Sequence, residues 1–137
     1  MSITARQILL VQESFKQVEP ISEQAAEIFY NKLFEYDPNL RSLFKGDLKA
    51  QGKKLMATLK VAVNGASNLD ELIPVLHDLA ERHVGYGVKP QDYTPVGNAL
   101  LFTLKSGLGQ SYTPELRQAW VDTFRLIAKT MKAHAYS

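Results

Sequence analysis

The chain has 137 residues, a length that suits one domain, and its 45% hydrophobic and 22% charged residues are the mix of a globular protein with a full core. A formal charge of +2, with the basic residues spread along the chain, argues against a nucleic-acid footprint, and the lack of cysteine excludes disulfides, thiolate metal ligands and cysteine nucleophiles. No apolar run approaches the ~18 residues of a spanning helix, and the N-terminal MSITARQILLVQESF carries polar and charged residues inside its apolar stretch, unlike a signal peptide. The expectation is a cytoplasmic protein with no membrane or nucleic-acid partner, a single domain over residues 1–137.

Nearly every segment shows helical rather than strand periodicity. In the first, Ile8, Val11, Phe15 and Val18 recur at steps of three and four. Pro20 falls where a first helical turn accepts it, and Ile21, Ala25, Ile28 and Leu33 carry the second stripe. DPNLRSLF reads as a short helical turn with Asp37 as cap and Pro38 just inside, and KGD then breaks the chain. Asp47 caps a helix bearing Leu48, Leu55, Leu59, Ala62 and Val63, which GASN ends. Asn68 with Glu71 has the form of a capping box at the head of LDELIPVLHDLAERH, and Pro74, within the first two turns, predicts an irregular start there. Pro90 opens the next helix, with Tyr93, Val96, Leu100, Leu104 and Leu108 along one face, and GLGQSY closes it. Thr113 and Pro114 begin the last, striped by Trp120, Phe124, Ile127 and Met131. The expected fold class is all-α: six long helices and one short one, joined by short loops. No heptad is sustained, so globular crossings are expected rather than a coiled coil.

Three histidines are candidates for chemistry. His134 lies near a terminus expected to fray and reads as a solvated residue or a tag-like tail. His77 and His83 share a helix, but six residues at about 100° each set them roughly 120° apart, so they do not face one pocket. His83 is the one aligned with Leu72, Leu76 and Leu79; its helix stops at Gly85, and Gly87 and Val88 turn the chain. One ring nitrogen there can donate to the carbonyl of Leu79 or Ala80, and the other is aimed into apolar space. Two readings stay open: a boundary histidine bonded locally, or a metal ligand. One imidazole does not hold a bare zinc ion, which takes three or four protein ligands. It does suffice for iron already held by four porphyrin nitrogens.

Gln51, between Leu48 and Leu55, either interrupts an inward stripe or sits at the edge of a helix surface. Tyr30, in EIFYNKLF, shares a face with Ala26, Leu33 and Phe34; it is a core tyrosine with its hydroxyl satisfied nearby, or a pocket residue. Three inward polar tips on three helices of an otherwise leucine- and valine-lined protein point to a pocket.

The segments FYNKLFEYDPNLRSLF, QGKKLMATLKVAVN, NLDELIPVLHDLAERHVGYGV, DYTPVGNALLFTLKSGLG and YTPELRQAW, in this order and spacing, resemble the globins. Within them the resemblance is to the single-domain bacterial haemoglobins, the haemoglobin domain of flavohaemoglobins and the neuroglobins. It covers essentially the whole chain and implies a globin fold around haem b (iron protoporphyrin IX). The resemblance makes His83 the proximal iron ligand, Phe44 the ring stacked on the haem and Tyr30 the distal tyrosine of the bacterial branch. Gln51 stands where many globins have a distal histidine, and Leu55 stands over the iron. Leu79, Val88 and Val96 match proximal-side packing positions, and Tyr93 matches a proximal-side tyrosine. Lys54 is placed to approach a haem propionate, a solvated lysine being the alternative. Two departures matter. Gln51 is a poor sixth ligand, which argues against the bis-histidine coordination of neuroglobins. The late-helix glutamate that bonds the proximal histidine in flavohaemoglobin-like proteins would fall near Ala135, where KTMKAHAYS holds no acid.

What the resemblance implies is reversible binding of O2, with NO and CO as further ligands, at five-coordinate ferrous iron. Tyr30 and Gln51 would each give the ligand a charge-assisted hydrogen bond of ~1.5–3 kcal/mol, so tight O2 binding and slow release are expected. Phe44, Leu55 and Val96 would exclude water and retard oxidation of the iron. An oxygen store, carrier or scavenger, rather than an enzyme, is the first reading. A nitric oxide dioxygenase fed by a separate reductase is the second, since no flavin- or nicotinamide-binding segment follows within these residues. A gas sensor, which normally carries an output domain, ranks below both. A non-haem helical interaction module is the reading if the protein takes up no haem.

Overall fold

In a computed structural model of the chain, described for residues 3–136, six α-helices carry the fold, and no strand occurs among those residues. They are α1 (Ala5–Val18), α2 (Ser22–Tyr36), α3 (Leu48–Gly65), α4 (Leu69–Gly85), α5 (Tyr93–Leu108) and α6 (Pro114–Ala135). Three of the six starts follow from side-chain caps. The Thr4 hydroxyl accepts from the N–H of Gln7 (3.1 Å) while the Gln7 side chain accepts from the N–H of Thr4 (3.0 Å), a reciprocal box at the head of α1. Asp47 accepts from the N–H of Lys49 at 3.0 Å before α3, and Thr113 from Leu116 at 3.2 Å before α6. The short helix is a 3₁₀ turn over Pro38–Leu43, with Asp37 accepting from the N–H of Asn39.

Four prolines and a cap refine the sequence reading. Pro114 begins α6 itself, whereas Pro20 and Pro90 sit in 3₁₀ turns, Glu19–Ile21 and Pro90–Asp92, that lead into α2 and α5. Pro74 leaves no irregular start: α4 is regular from Leu69. Pro74 is exposed in the second turn, so its ring meets solvent and the missing N–H leaves a single carbonyl, that of Asp70, without its helical partner. The Asn68–Glu71 capping box does not form. Asn68 takes φ −143°, ψ 78° and its side chain makes no cap hydrogen bond; its backbone carbonyl receives the N–H groups of Glu71 and Leu72 instead, both at 3.2 Å.

Three clusters of buried side chains hold these helices together. Val11, Phe15 and Val18 of α1 meet Trp120 and Leu116 of α6, and the Trp120 indole N–H donates to the buried Ser14 hydroxyl at 2.9 Å. Phe29, Tyr30 and Leu33 of α2 meet Ala99 and Leu100 of α5, with Leu40 below them. Leu72, Leu76 and Ala80 of α4 pack on Met131 of α6. Helix α3 approaches α2 closely because Gly52 has no side chain: a Cβ there would stand 2.8 Å from that of Ala26. Among the described residues no helix is long and apolar enough to cross a membrane.

Candidate functional site

Helix α4 ends one turn after its buried stripe, and His83 is the side chain at that end. Leu72, Leu76 and Ala80 are buried and His83, next in the stripe, is half-buried. Its Nδ1 lies 2.8 Å from the carbonyl of Leu79. A carbonyl only accepts, so a proton sits on Nδ1, and in the neutral ring Nε2 carries the lone pair. Nε2 has no hydrogen-bond partner among the described residues. Burial pushes the imidazole pKa below its ordinary value; the Leu79 carbonyl opposes this and the Arg82 charge adds to it. The ring is therefore biased toward its neutral form, oriented by Leu79, and unpartnered at Nε2 among the described residues.

The corner after His83 folds back on it. Gly87, at φ +95°, makes the reversal that an L side chain would strain, and the N–H groups of Tyr86 and Val88 both return to the His83 carbonyl, at 3.1 and 3.0 Å. Tyr93, at the head of α5, places its ring 6.4 Å from that of His83, with its hydroxyl buried and without a partner; burial pushes that hydroxyl up to about 12. Leu79 and Val88 are half-buried on the same side.

His77 faces elsewhere, as the helical angle requires. Its ring stacks on that of His134 with centroids 4.0 Å apart and planes 5° from parallel, and His134 Nε2 lies 2.9 Å from a Glu81 carboxylate oxygen. His134 is thus part of the α4–α6 contact and not a loose tail.

Tyr30 stands in the second cluster, on α2. It is 5% exposed, with Phe29 and Phe44 edge-on at 5.0 and 5.2 Å and Phe34 stacked at 6.0 Å. Burial pushes its hydroxyl up to about 12, while the Gln51 amide, close enough to stabilise the ionised form, pulls the other way. Phe44, Leu55 and Val96 pack around this cluster, each half-buried. Gln51 and Lys54 are exposed. Gln51 is on the face of α3 that carries Leu48 and Leu55 against the Tyr30 cluster, and although exposed its amide lies beside the Tyr30 hydroxyl. Of the three polar tips, Tyr30 is buried, His83 is half-buried, and Gln51 is exposed on the rim beside Tyr30.

The structure adds Phe29, Leu43 and Leu100 to the Tyr30 surroundings. Phe29 had a signal, since it lies four residues from both Ala25 and Leu33, but the stripe drawn through Ile28 missed it. Behind Leu55 an apolar cavity of about 20 Å³ runs between Phe29, Leu59, Leu100, Trp120 and Phe124, room for one water-sized molecule. Among the described residues no three His, Asp or Glu side chains are grouped to hold a bare metal ion. A single neutral imidazole with a free lone pair thus suits a metal that brings its other ligands with it.

Known proteins bear on this arrangement. A sequence model of the Globin family matches residues 27–131. The neuroglobin of Tetraodon nigroviridis is 33% identical over 118 residues, covering 76% of this chain and 74% of that protein. The flavohemoprotein of Bacillus subtilis (strain 168) is 31% identical over 123 residues, 85% of this chain but 31% of that longer protein. Among solved structures, an engineered carbene transferase derived from a Rhodothermus marinus protein, one assigned without proof as a nitric oxide dioxygenase, superposes with a TM-score of 0.87 at 25% identity over 98% of this chain and 94% of that one. A hexacoordinated heme protein from an anhydrobiotic tardigrade shares the fold, with a TM-score of 0.88 at 19% identity over 98% and 96% of the two chains. The family match runs from α2 to α6 and so takes in both His83 and Tyr30: the chain belongs to the globin family.

Proposed function

We propose that this globin holds haem b through His83 and takes a diatomic gas (O2, NO or CO) on the face beside Tyr30. The observation that carries the reading is the His83 ring: a neutral imidazole, turned by a 2.8 Å hydrogen bond to Leu79, with Nε2 left free. The unpartnered buried hydroxyl of Tyr93 on the same side fits a pocket whose polar groups await a further occupant. Haem bound there would supply the iron to which the gas binds.

The chain's own residues then divide the work. Leu79 fixes the tautomer and rotation of His83, and with Val88 and Tyr93 walls the proximal side. Phe44, Leu55 and Val96 line the other cluster and keep water away. Lys54, exposed on α3, would be the residue to pair with a haem propionate. Tyr30, with its pKa near 12, stays protonated at neutral pH and offers a permanent donor to a gas held on that face. Gln51 joins as a second donor when its exposed side chain turns inward. Such a pocket suits a cytoplasmic oxygen store, carrier or scavenger with slow release.

Nitric oxide dioxygenation is the second reading. It is favoured by the likeness to flavohemoproteins and to the Rhodothermus protein, together with the buried Tyr30 donor; its electrons would come from a reductase. The test is a haemin titration followed by rapid mixing. Stoichiometric uptake with a Soret band is expected, and its absence overturns the haem reading. If the oxygenated protein consumes one equivalent of NO and stops, even with a flavin reductase and NADH present, the carrier reading stands; sustained turnover selects the dioxygenase.

A further inference from the structure

The chain has six tyrosines, and the fold leaves them in unlike surroundings. Two have rings near the His83 imidazole: Tyr86, with centroids 6.0 Å apart, and Tyr93, at 6.4 Å. Of these two, Tyr86 alone stands in water. It is 61% exposed on the corner after α4, whereas the Tyr93 hydroxyl is buried with no hydrogen-bond partner. The corner leaves Tyr86 open to approach: Val84, Gly85 and Gly87 are exposed, and a Cβ on Gly85 would meet nothing within 4 Å.

Oxidising a phenol takes an electron from the ring and a proton from the hydroxyl, so the hydroxyl needs an acceptor for that proton. Water serves Tyr86. Tyr93 and Tyr112 have buried hydroxyls with no partner, and Tyr136 donates to the carbonyl of Val88, which accepts a hydrogen bond but is no base for the proton. Tyr30 is buried in the other cluster, with the Gln51 amide beside its hydroxyl. Tyr36 is also exposed, at 46%, but the Lys32 ammonium lies 5.3 Å from its ring centroid, and a cation over a ring opposes removal of an electron from it. Nearness to His83 and an exit for the proton coincide at Tyr86.

We propose that Tyr86 is the side chain this protein gives up to hydrogen peroxide when haem is bound: its ring yields an electron beside His83, and two copies then join ring to ring. The inference rests on the haem reading, in which haem would supply the oxidising centre. The balance is complete with peroxide as the oxidant. Hydrogen peroxide takes up two electrons and two protons and leaves as two waters. Two Tyr86 side chains supply one electron and one phenolic proton each and become phenoxyl radicals. The radicals of two molecules form a carbon–carbon bond ortho to their oxygens, and the hydrogen on each of those carbons moves to its oxygen, which restores two phenols in a dityrosine link.

The test treats the haem-loaded full chain with hydrogen peroxide and maps the product by denaturing gel and peptide mass spectrometry, with a nitroso spin trap in a parallel sample. A covalent dimer linked from Tyr86 to Tyr86 is expected, together with a trap adduct on the Tyr86 ring. Tyr86→Phe should lose both while keeping the wild-type Soret band, and Tyr36→Phe should keep both. An external one-electron photo-oxidant without peroxide should mark Tyr36 as well as Tyr86, since exposure governs there; selection of Tyr86 by peroxide therefore reports its place beside His83. A dimer or adduct in Tyr86→Phe equal to wild type, a link through Tyr36 or Tyr93, or no product from the wild type would overturn the proposal. Failure of the haem reading looks different, because the untreated wild-type protein would then show no Soret band.

Discussion

The α4 side of the pocket and the α2 side are secured by different forces. His83 is held by hydrogen bonds to backbone: its ring to Leu79, and its carbonyl to Tyr86 and Val88. Tyr30 is held by contact, among Phe29, Phe34 and Phe44, and its hydroxyl has only the rim residue Gln51 beside it. The difference suits the role proposed for each. A ligand to iron must aim a lone pair, and hydrogen bonds are directional. A donor that waits for a gas needs to be near and dry, which packing provides.

Four outcomes would break or sharpen this contrast. The largest belongs to the directional side: His83→Ala should weaken haem retention by more than the roughly 10–100-fold typical of losing a supporting group around a metal site, read by haem transfer to an acceptor protein. Next, Tyr30→Phe should speed O2 release by about ten- to a hundredfold, the equivalent of one charge-assisted hydrogen bond, in stopped-flow measurements; an unchanged rate would remove Tyr30 from the donor role. The third is a pH profile. Tyr30 and Tyr93 both ionise only near 12 in the folded chain, against about 10 when unfolded. The unfolded chain therefore holds fewer protons between those values, and stability falls as pH rises through that window. His83, with its pKa lowered, takes up its proton later than the unfolded chain does, so stability also falls on acidification below the ordinary histidine range. Urea midpoints across pH check both arms. The smallest effect is Gln51→Leu, less than about fivefold on O2 release, because an exposed side chain must first give up its solvation.

The helices were legible because local chemistry sets them. Asp37, Asp47 and Thr113 cap where the sequence said, each with an oxygen that reaches a free N–H two or three residues on. Asn68 has the same chemistry and makes no such bond; at φ −143°, ψ 78° it is its backbone carbonyl that takes the N–H groups of Glu71 and Leu72. His83 could be read from its stripe, since period alone fixes its face. Gln51 could not: it shares a face with Leu48 and Leu55, and period alone does not say that a long side chain there stays exposed while its amide lies beside the Tyr30 hydroxyl. His134 and Tyr136 were opaque for a related reason. Their partners, His77 and Glu81 for one and Val88 for the other, lie about fifty positions away and meet them only once α4 has docked on α6.

Helix α4 carries two histidines, one turned to the pocket and one to α6, and the absorption spectrum of the ferrous haem protein tells them apart. His77→Ala should keep the wild-type five-coordinate spectrum, whereas His83→Ala should lose it and regain it when free imidazole is added. A wild-type spectrum in His83→Ala, or the same loss in His77→Ala, would contradict the assignment.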